Sequence, residues 1–195
     1  AESYAKMFPR LIKDWRTVWN DTSLPFLFVQ LPNYNLPSDR TGERWARLRE
    51  AQMTALTLPH TGAAITIDLG TPEDGHPPDK SGFGQRLARI ASHTVYRMGT
   101  GDASGPRPAE AKLTEDGIEI AFAHASSGLE VLTEELVGFE VAGLEGNYFP
   151  ASAVLRGDRV ILRPGPELPS RPASVRYGWN NNPKASLYNR NRLPA

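Results

Sequence analysis

Apolar residues recur at spacings of three and four from the first turns of the chain: Met7, Phe8, Leu11, Ile12, Trp15, Val18 and Trp19. That period predicts a helix over about residues 4–19 with one apolar face. Pro9 falls inside it, either in its first turn or as a kink, because an interior proline costs about 3 kcal/mol. The turn signal NDTSLP then leads into PFLFVQL, an apolar run bounded by prolines and too short for a helix. Such a run predicts a strand covered on both faces. A second helix is expected in ERWARLREAQMTAL, with Trp45, Leu48, Gln52 and Leu56 on one face. A second strand is expected in AAITIDL, and a third helix in FGQRLARIASHTVY at 83–96. Helix, strand, helix, strand, helix is the alternation of an α/β sheet with parallel strands. Two strands do not complete such a sheet, so the others are expected from another segment or chain.

Beyond RMGTGDASGPRP the pattern changes. IEIAFAH, VGFEVAG, ASAVLRG, DRVILRP and ASVRYGW are short, β-branched or aromatic stretches separated by Gly, Pro and Asp turns. They predict a small antiparallel, sandwich-like β module. The Gly/Pro/Ser-rich stretch between sets the division: residues 1-97 form the α/β part, and residues 98-195 the β-rich module with an irregular tail. Tyr188 and Leu193 of that tail are expected to pack back onto the α/β part.

Lys+Arg and Asp+Glu both number 22, so the formal net charge is zero. A neutral chain lacks the basic surface that a nucleic-acid or anionic-membrane partner requires. No stretch approaches the roughly 20 apolar residues of a bilayer crossing, which predicts no membrane partner. The absence of cysteine excludes disulfides, thiolate metal sites and cysteine nucleophiles, and leaves an extracytoplasmic location open. The opening residues carry neither an initiator Met nor a basic-then-apolar signal peptide and begin in helical periodicity, as expected of a segment of something longer.

Among the four histidines, His76 differs by its setting in DGHPPDK, a loop between a predicted strand and a predicted helix. Loops at the carboxyl ends of parallel strands are where α/β sheets place ligands and catalysts. An aspartate two residues before a histidine can orient the imidazole, so Asp74 and His76 pair as orienting acid and general base. Gln30 ends PFLFVQL on the same sheet edge, where its amide is placed either to reach a sugar hydroxyl or to cap the PNYN turn. No GxSxG elbow or comparable serine supplies a nucleophile. There is no HxxxH or HxH, so no metal is expected.

Four blocks carry a family likeness: LIKDWRTVW with LPFLFVQL; WARLREAQ; ITIDLGTPEDGHPPDKSGFGQRLA; and VRYGWNNNPKASLYNRNRLPA. In that order they resemble the sialate O-acetylesterase-like carbohydrate esterases, a branch of the SGNH-type serine hydrolases. The resemblance implies the carboxy-terminal part of a flavodoxin-like SGNH hydrolase three-layer sheet, followed by the β-rich module. It implies that His76 is the catalytic histidine and Asp74 its acid, although Asp-x-His departs from the Asp-x-x-His spacing usual in SGNH enzymes. The serine nucleophile of the family lies in a Gly-Gln-Ser-Asn-type block upstream, so the implied partners are the amino-terminal half of the same hydrolase and an acetylated glycan. The implied activity is O-acetyl removal from a sialate-type sugar or a plant polysaccharide such as xyloglucan or xylan, without cofactor. The implied location is periplasmic or secreted. The competing reading is a non-catalytic carbohydrate-binding or structural β module, with Tyr177 and Trp179 stacking on sugar.

Overall fold

The protein is described by a computed structural model covering residues 1–163 and 171–195; Pro164, the last residue of DRVILRP, lies outside them. The chain divides into two compact units, Ala1–Ser104 with Asn180–Asn182, and Gly105–Trp179 with Pro183–Ala195.

The first unit is built on a parallel pair of strands, β1 (Phe26–Val29) and β2 (Thr61–Ala64). Three helices accompany them, α1 (Glu2–Val18), α2 (Arg44–Met53), continued by a 3₁₀ turn over Thr54–Thr57, and α3 (Ser81–Thr94). The rings of Phe28 and Phe8 of α1 meet edge to face at 5.0 Å, and the Arg16 guanidinium of α1 stands over the Phe26 ring. The next residue along β1, Leu27, turns to the other side, where the Gly62 backbone lies against Leu27 and Ile90 of α3. Alternation along the strand thus puts helices on both faces.

Pro9 sits inside α1 without ending it. It removes the N–H that would meet the Ala5 carbonyl. The Thr54 hydroxyl, 3.0 Å from Ala5 O and 2.7 Å from Ala51 O, supplies a donor there.

Two elements depart from the sequence pattern. The second strand ends at Ala64, whereas AAITIDL predicts strand through Leu69. The ladder closes with the Gln30 N–H donating to Ala64 O, and Pro32 soon follows on the neighbouring chain without an N–H to give. Thr66, fully buried, donates its hydroxyl to Gln30 O, and the Leu69 N–H turns back to Thr66 O. Ile65 and Ile67 are still buried, so their β propensity is spent on packing in a turn. The second departure is in α1. Phe8 and Arg16 meet β1, and Ile12 between them is fully buried. Met7, Val18 and Trp19 are 67%, 79% and 61% exposed, and Leu11 and Trp15 are about half exposed.

The second unit's described residues form three antiparallel sheets. One has the order β3-β4-β9-β8, from β3 (Arg107–Thr114), β4 (Gly117–Ala123), β8 (Ser152–Arg156) and β9 (Arg159–Arg163). The next, β10-β6-β7, uses β6 (Phe139–Ala142), β7 (Tyr148–Pro150) and β10 (Ser174–Tyr177). The third pairs β5 (Leu129–Val131) with β11 (Leu187–Asn189). Ile118, Ile120, Phe139, Val141, Val160, Leu162 and Leu187 make its core. Tyr188 and Leu193, expected to fold back on the α/β part, belong to this unit, and the tail residues that belong to the first unit are Asn180–Asn182. Tyr177 is committed to structure: its ring packs on Phe139 at 4.6 Å, and its hydroxyl accepts from the Ser186 and Leu187 N–H groups at 2.9 Å. Among the described residues no helix is long and apolar enough to cross a membrane.

Candidate functional site

Because β1 and β2 are parallel, the segments that follow them leave the same edge of the pair. One carries Gln30 and the run Asn33-Tyr34-Asn35; the other carries the loop from Gly70 to Lys80 with Asp74 and His76.

The loop is pinned at several points. The Asn33 amide oxygen accepts from the Gly70 N–H at 2.7 Å. Gly70 is required there, because a Cβ would stand 2.0 Å from the Asn33 carbonyl oxygen. The Asn35 N–H donates to Pro72 O at 3.0 Å. Asp74 N–H donates to the Thr71 hydroxyl, and Asp74 Oδ1 accepts from the His76 N–H at 2.6 Å, an Asx turn. Pro77 is buried, and the Asp79 carboxylate takes the Ser81 N–H at the start of α3. The Ser81 hydroxyl and, second to it, this N–H hold the Asp79 carboxyl below the usual carboxylate range.

The loop presents His76 outward, its side chain 97% exposed. Its Nδ1 is 3.9 Å from Asp74 Oδ1, longer than a hydrogen bond, with Asp74 54% exposed. Asp74 therefore orients the backbone of His76 here, and the imidazole stands within about 1 Å of a direct pairing. Gln30 is placed differently. It is only 9% exposed, and its Oε1 is buried with no hydrogen-bond partner among the described residues. Among the described residues no group of three or more His, Cys, Asp or Glu is placed to hold a metal ion.

Sequence reasoning missed the residues under the loop. The Gly75 backbone lies over the Tyr34 and Trp45 rings, which meet edge to face at 5.5 Å; a Cβ there would stand 3.5 Å from Tyr34 and 3.8 Å from Trp45. Trp45 Nε1–H donates to Pro32 O at 2.7 Å. Asp68 and Arg86 form a two-pronged ion pair, and Arg86 also donates to Ile65 O, tying α3 to the turn after β2. Losing one partner of such a largely buried pair costs about 3–5 kcal/mol. The recoverable signal was an arginine and an aspartate on either side of the His76 loop.

No protein-family model matches the sequence. The mouse protein named sialate O-acetylesterase is 30% identical over 126 residues, an alignment covering 56% of this chain and 23% of the mouse protein. The crystal structure of a carbohydrate acetylesterase from Xanthomonas citri matches at 39% identity with a TM-score of 0.89, covering 98% of this chain and 44% of that one. The chain is homologous to sialate O-acetylesterase-like carbohydrate esterases. It spans less than half of the bacterial esterase and about a quarter of the mouse one. The mixed α/β architecture with several antiparallel sheets is thus shared with the matched part of a carbohydrate acetylesterase.

Asp39 supports the same platform electrostatically. Burial opposes its ionisation, yet the hydrogen bonds it accepts from the Thr41 hydroxyl, the Arg44 and Thr41 N–H groups and the Asn181 amide prevail, holding the carboxyl well below its usual range. A lowered carboxyl stabilises the fold above the ordinary carboxylate range, and that stability is lost progressively as pH falls from there toward the lowered value. Asp39→Asn is therefore expected to lower the melting temperature most at neutral pH, with the gap from wild type narrowing below about pH 4. Thermal unfolding followed across pH 2–7 checks this, and a gap independent of pH would contradict it.

Proposed function

We propose that this chain is the carboxy-terminal part of an SGNH-type carbohydrate O-acetylesterase and supplies its catalytic histidine. The observation that carries the reading is the position of His76: an outward imidazole on a pinned loop at the carboxyl edge of a parallel pair, in a chain 39% identical to a carbohydrate acetylesterase over 98% of its length.

In this mechanism a serine of the amino-terminal half attacks the acetyl carbonyl while His76 takes its proton. The tetrahedral intermediate collapses as His76 returns that proton to the departing sugar oxygen, leaving an acetyl-enzyme. His76 then deprotonates water, which releases acetate and restores the serine. Asp74, drawn about 1 Å closer, accepts from Nδ1–H and stabilises the imidazolium. The substrate is an acetylated glycan, sialate-type or plant polysaccharide.

In the complete hydrolase, His76→Ala is expected to lower kcat at least a thousandfold, roughly the scale of triad losses, with an unchanged melting temperature. Asp74→Asn is expected to cost as much or less. An aryl-acetate assay decides it, and His76→Ala retaining more than about a tenth of the rate would refute the assignment.

The partner half is proposed to cover the exposed side of α1. Met7, Leu11, Trp15, Val18 and Trp19 place a large apolar area in water, and among the described residues β1 pairs only with β2. The bacterial relative has more than as much chain again beyond the matched region, enough for such a cover. Trp15→Glu is expected to weaken association with the amino-terminal half by tenfold or more in a titration of the two pieces, a change of about 1.4 kcal/mol. Equal affinity would place the partner elsewhere.

Gln30 is proposed to use its unpaired Oε1 on the sugar side of the site. Gln30→Ala should then raise KM for an acetylated glycan and not for a small aryl acetate; equal changes for both substrates would assign the amide to the PNYN turn instead.

A further inference from the structure

The run Asn180-Asn181-Asn182 belongs to the first unit, although the chain on either side of it, through Trp179 and from Pro183, belongs to the second. Nothing in the proposed chemistry uses it. Yet Asn181 is buried and bonded in every direction. Its amide oxygen accepts from the Trp45 N–H at 2.9 Å and its amide nitrogen donates to Asp39 at 3.0 Å. Its backbone carbonyl accepts from the Tyr34 N–H at 3.1 Å and from Arg49 Nη1 at 3.2 Å, and its N–H donates to Gly42 O at 2.7 Å. The two residues whose backbones it grips, Tyr34 and Trp45, are those whose rings lie under Gly75, the residue between Asp74 and His76. Asn182 reaches the other end of the loop: its Oδ1 accepts from the Asn33 amide at 2.8 Å, and that same Asn33 side chain accepts from the Gly70 N–H.

The two contacts converge on one object. Asn181 fixes the aromatic floor beneath the middle of the His76 loop, and Asn182 orients the asparagine that holds its first residue. Arg49, buried within α2, donates to the carbonyls of both Asn180 and Asn181 and locks the run in place. Burial lowers its pKa to about 10, which still leaves it protonated at neutral pH.

We infer that Asn181 and Asn182 are positioning residues for His76, acting through Tyr34, Trp45 and Asn33. The inference rests on the esterase reading for its effect on rate, but not for its effect on the loop. The test therefore has two arms. In hydrogen exchange on this chain, Asn182→Ala is expected to speed exchange of the amides of residues 70–76 at least tenfold. Ile90→Val, a core substitution that leaves the platform intact, should not do so. In the complete hydrolase, Asn182→Ala and Asn181→Ala should each lower kcat for an aryl acetate about tenfold, with KM within twofold and with the acid limb of the pH profile displaced. Asn182, partly exposed, serves if Asn181→Ala does not fold. Loop exchange equal to that of Ile90→Val would overturn the brace. Faster loop exchange with unchanged kcat would overturn the positioning role while His76→Ala remains inactive. If His76→Ala itself keeps its rate, the esterase assignment fails and the exchange result alone judges the brace.

Discussion

A parallel pair of four-residue strands has few ladder hydrogen bonds, and the backbone groups just beyond it must find partners or pay for burial. In the first unit two buried side chains meet that need. Arg16 of α1 donates to Leu24 O ahead of β1 and to Pro59 O and His60 O ahead of β2, so a single guanidinium gathers the entries of both strands. At the opposite end Gln52 of α2 accepts from the Leu31 N–H and donates to Val29 O, taking the place a neighbouring strand would occupy. Arginine suits the first position because its rigid fork meets several carbonyls at once. Glutamine suits the second because its amide has a donor and an acceptor side by side.

That stitching decides where chemistry can be carried. With the strand ends held, the two segments leaving the carboxyl edge are held as well, and one can brace the other. Asn33, Tyr34 and Asn35 each meet the His76 loop or its floor, and the loop's own Asx turn sets the backbone at His76. The imidazole is left exposed while the backbone beneath it is fixed.

The same economy appears in the second unit. Tyr177 orders the start of β11 through its hydroxyl, and Arg176 pairs with Glu140 while lying 3.9 Å from the Tyr148 ring centroid. Tyr177, one of the two aromatic residues of VRYGW that suggest sugar stacking in a linear reading, is occupied with strand and tail, and the Arg176 guanidinium also lies 5.4 Å from the Trp179 ring centroid.

Periodicity was enough to read three helices, the first strand and the antiparallel character of the second half, because each depends on which faces of a local element are apolar. Loop composition and strand-end position nominated Asp74, His76 and Gln30 as candidates, and the structure sets the two segments that carry them at one edge of the parallel pair. What the sequence could not determine was which apolar residues of α1 would meet the strands, since Met7 and Phe8 look alike until a partner surface exists. It also could not stop β2 at Ala64, because Ile65, Thr66 and Ile67 favour strand and only the Thr66 bond to Gln30 O and the loss of a neighbouring N–H at Pro32 end the ladder. The asparagines at 180–182 read as a polar turn. Their grip on Tyr34, Trp45 and Asn33 joins positions more than a hundred residues apart, and such a contact exists only once folding has brought their backbones within hydrogen-bond distance.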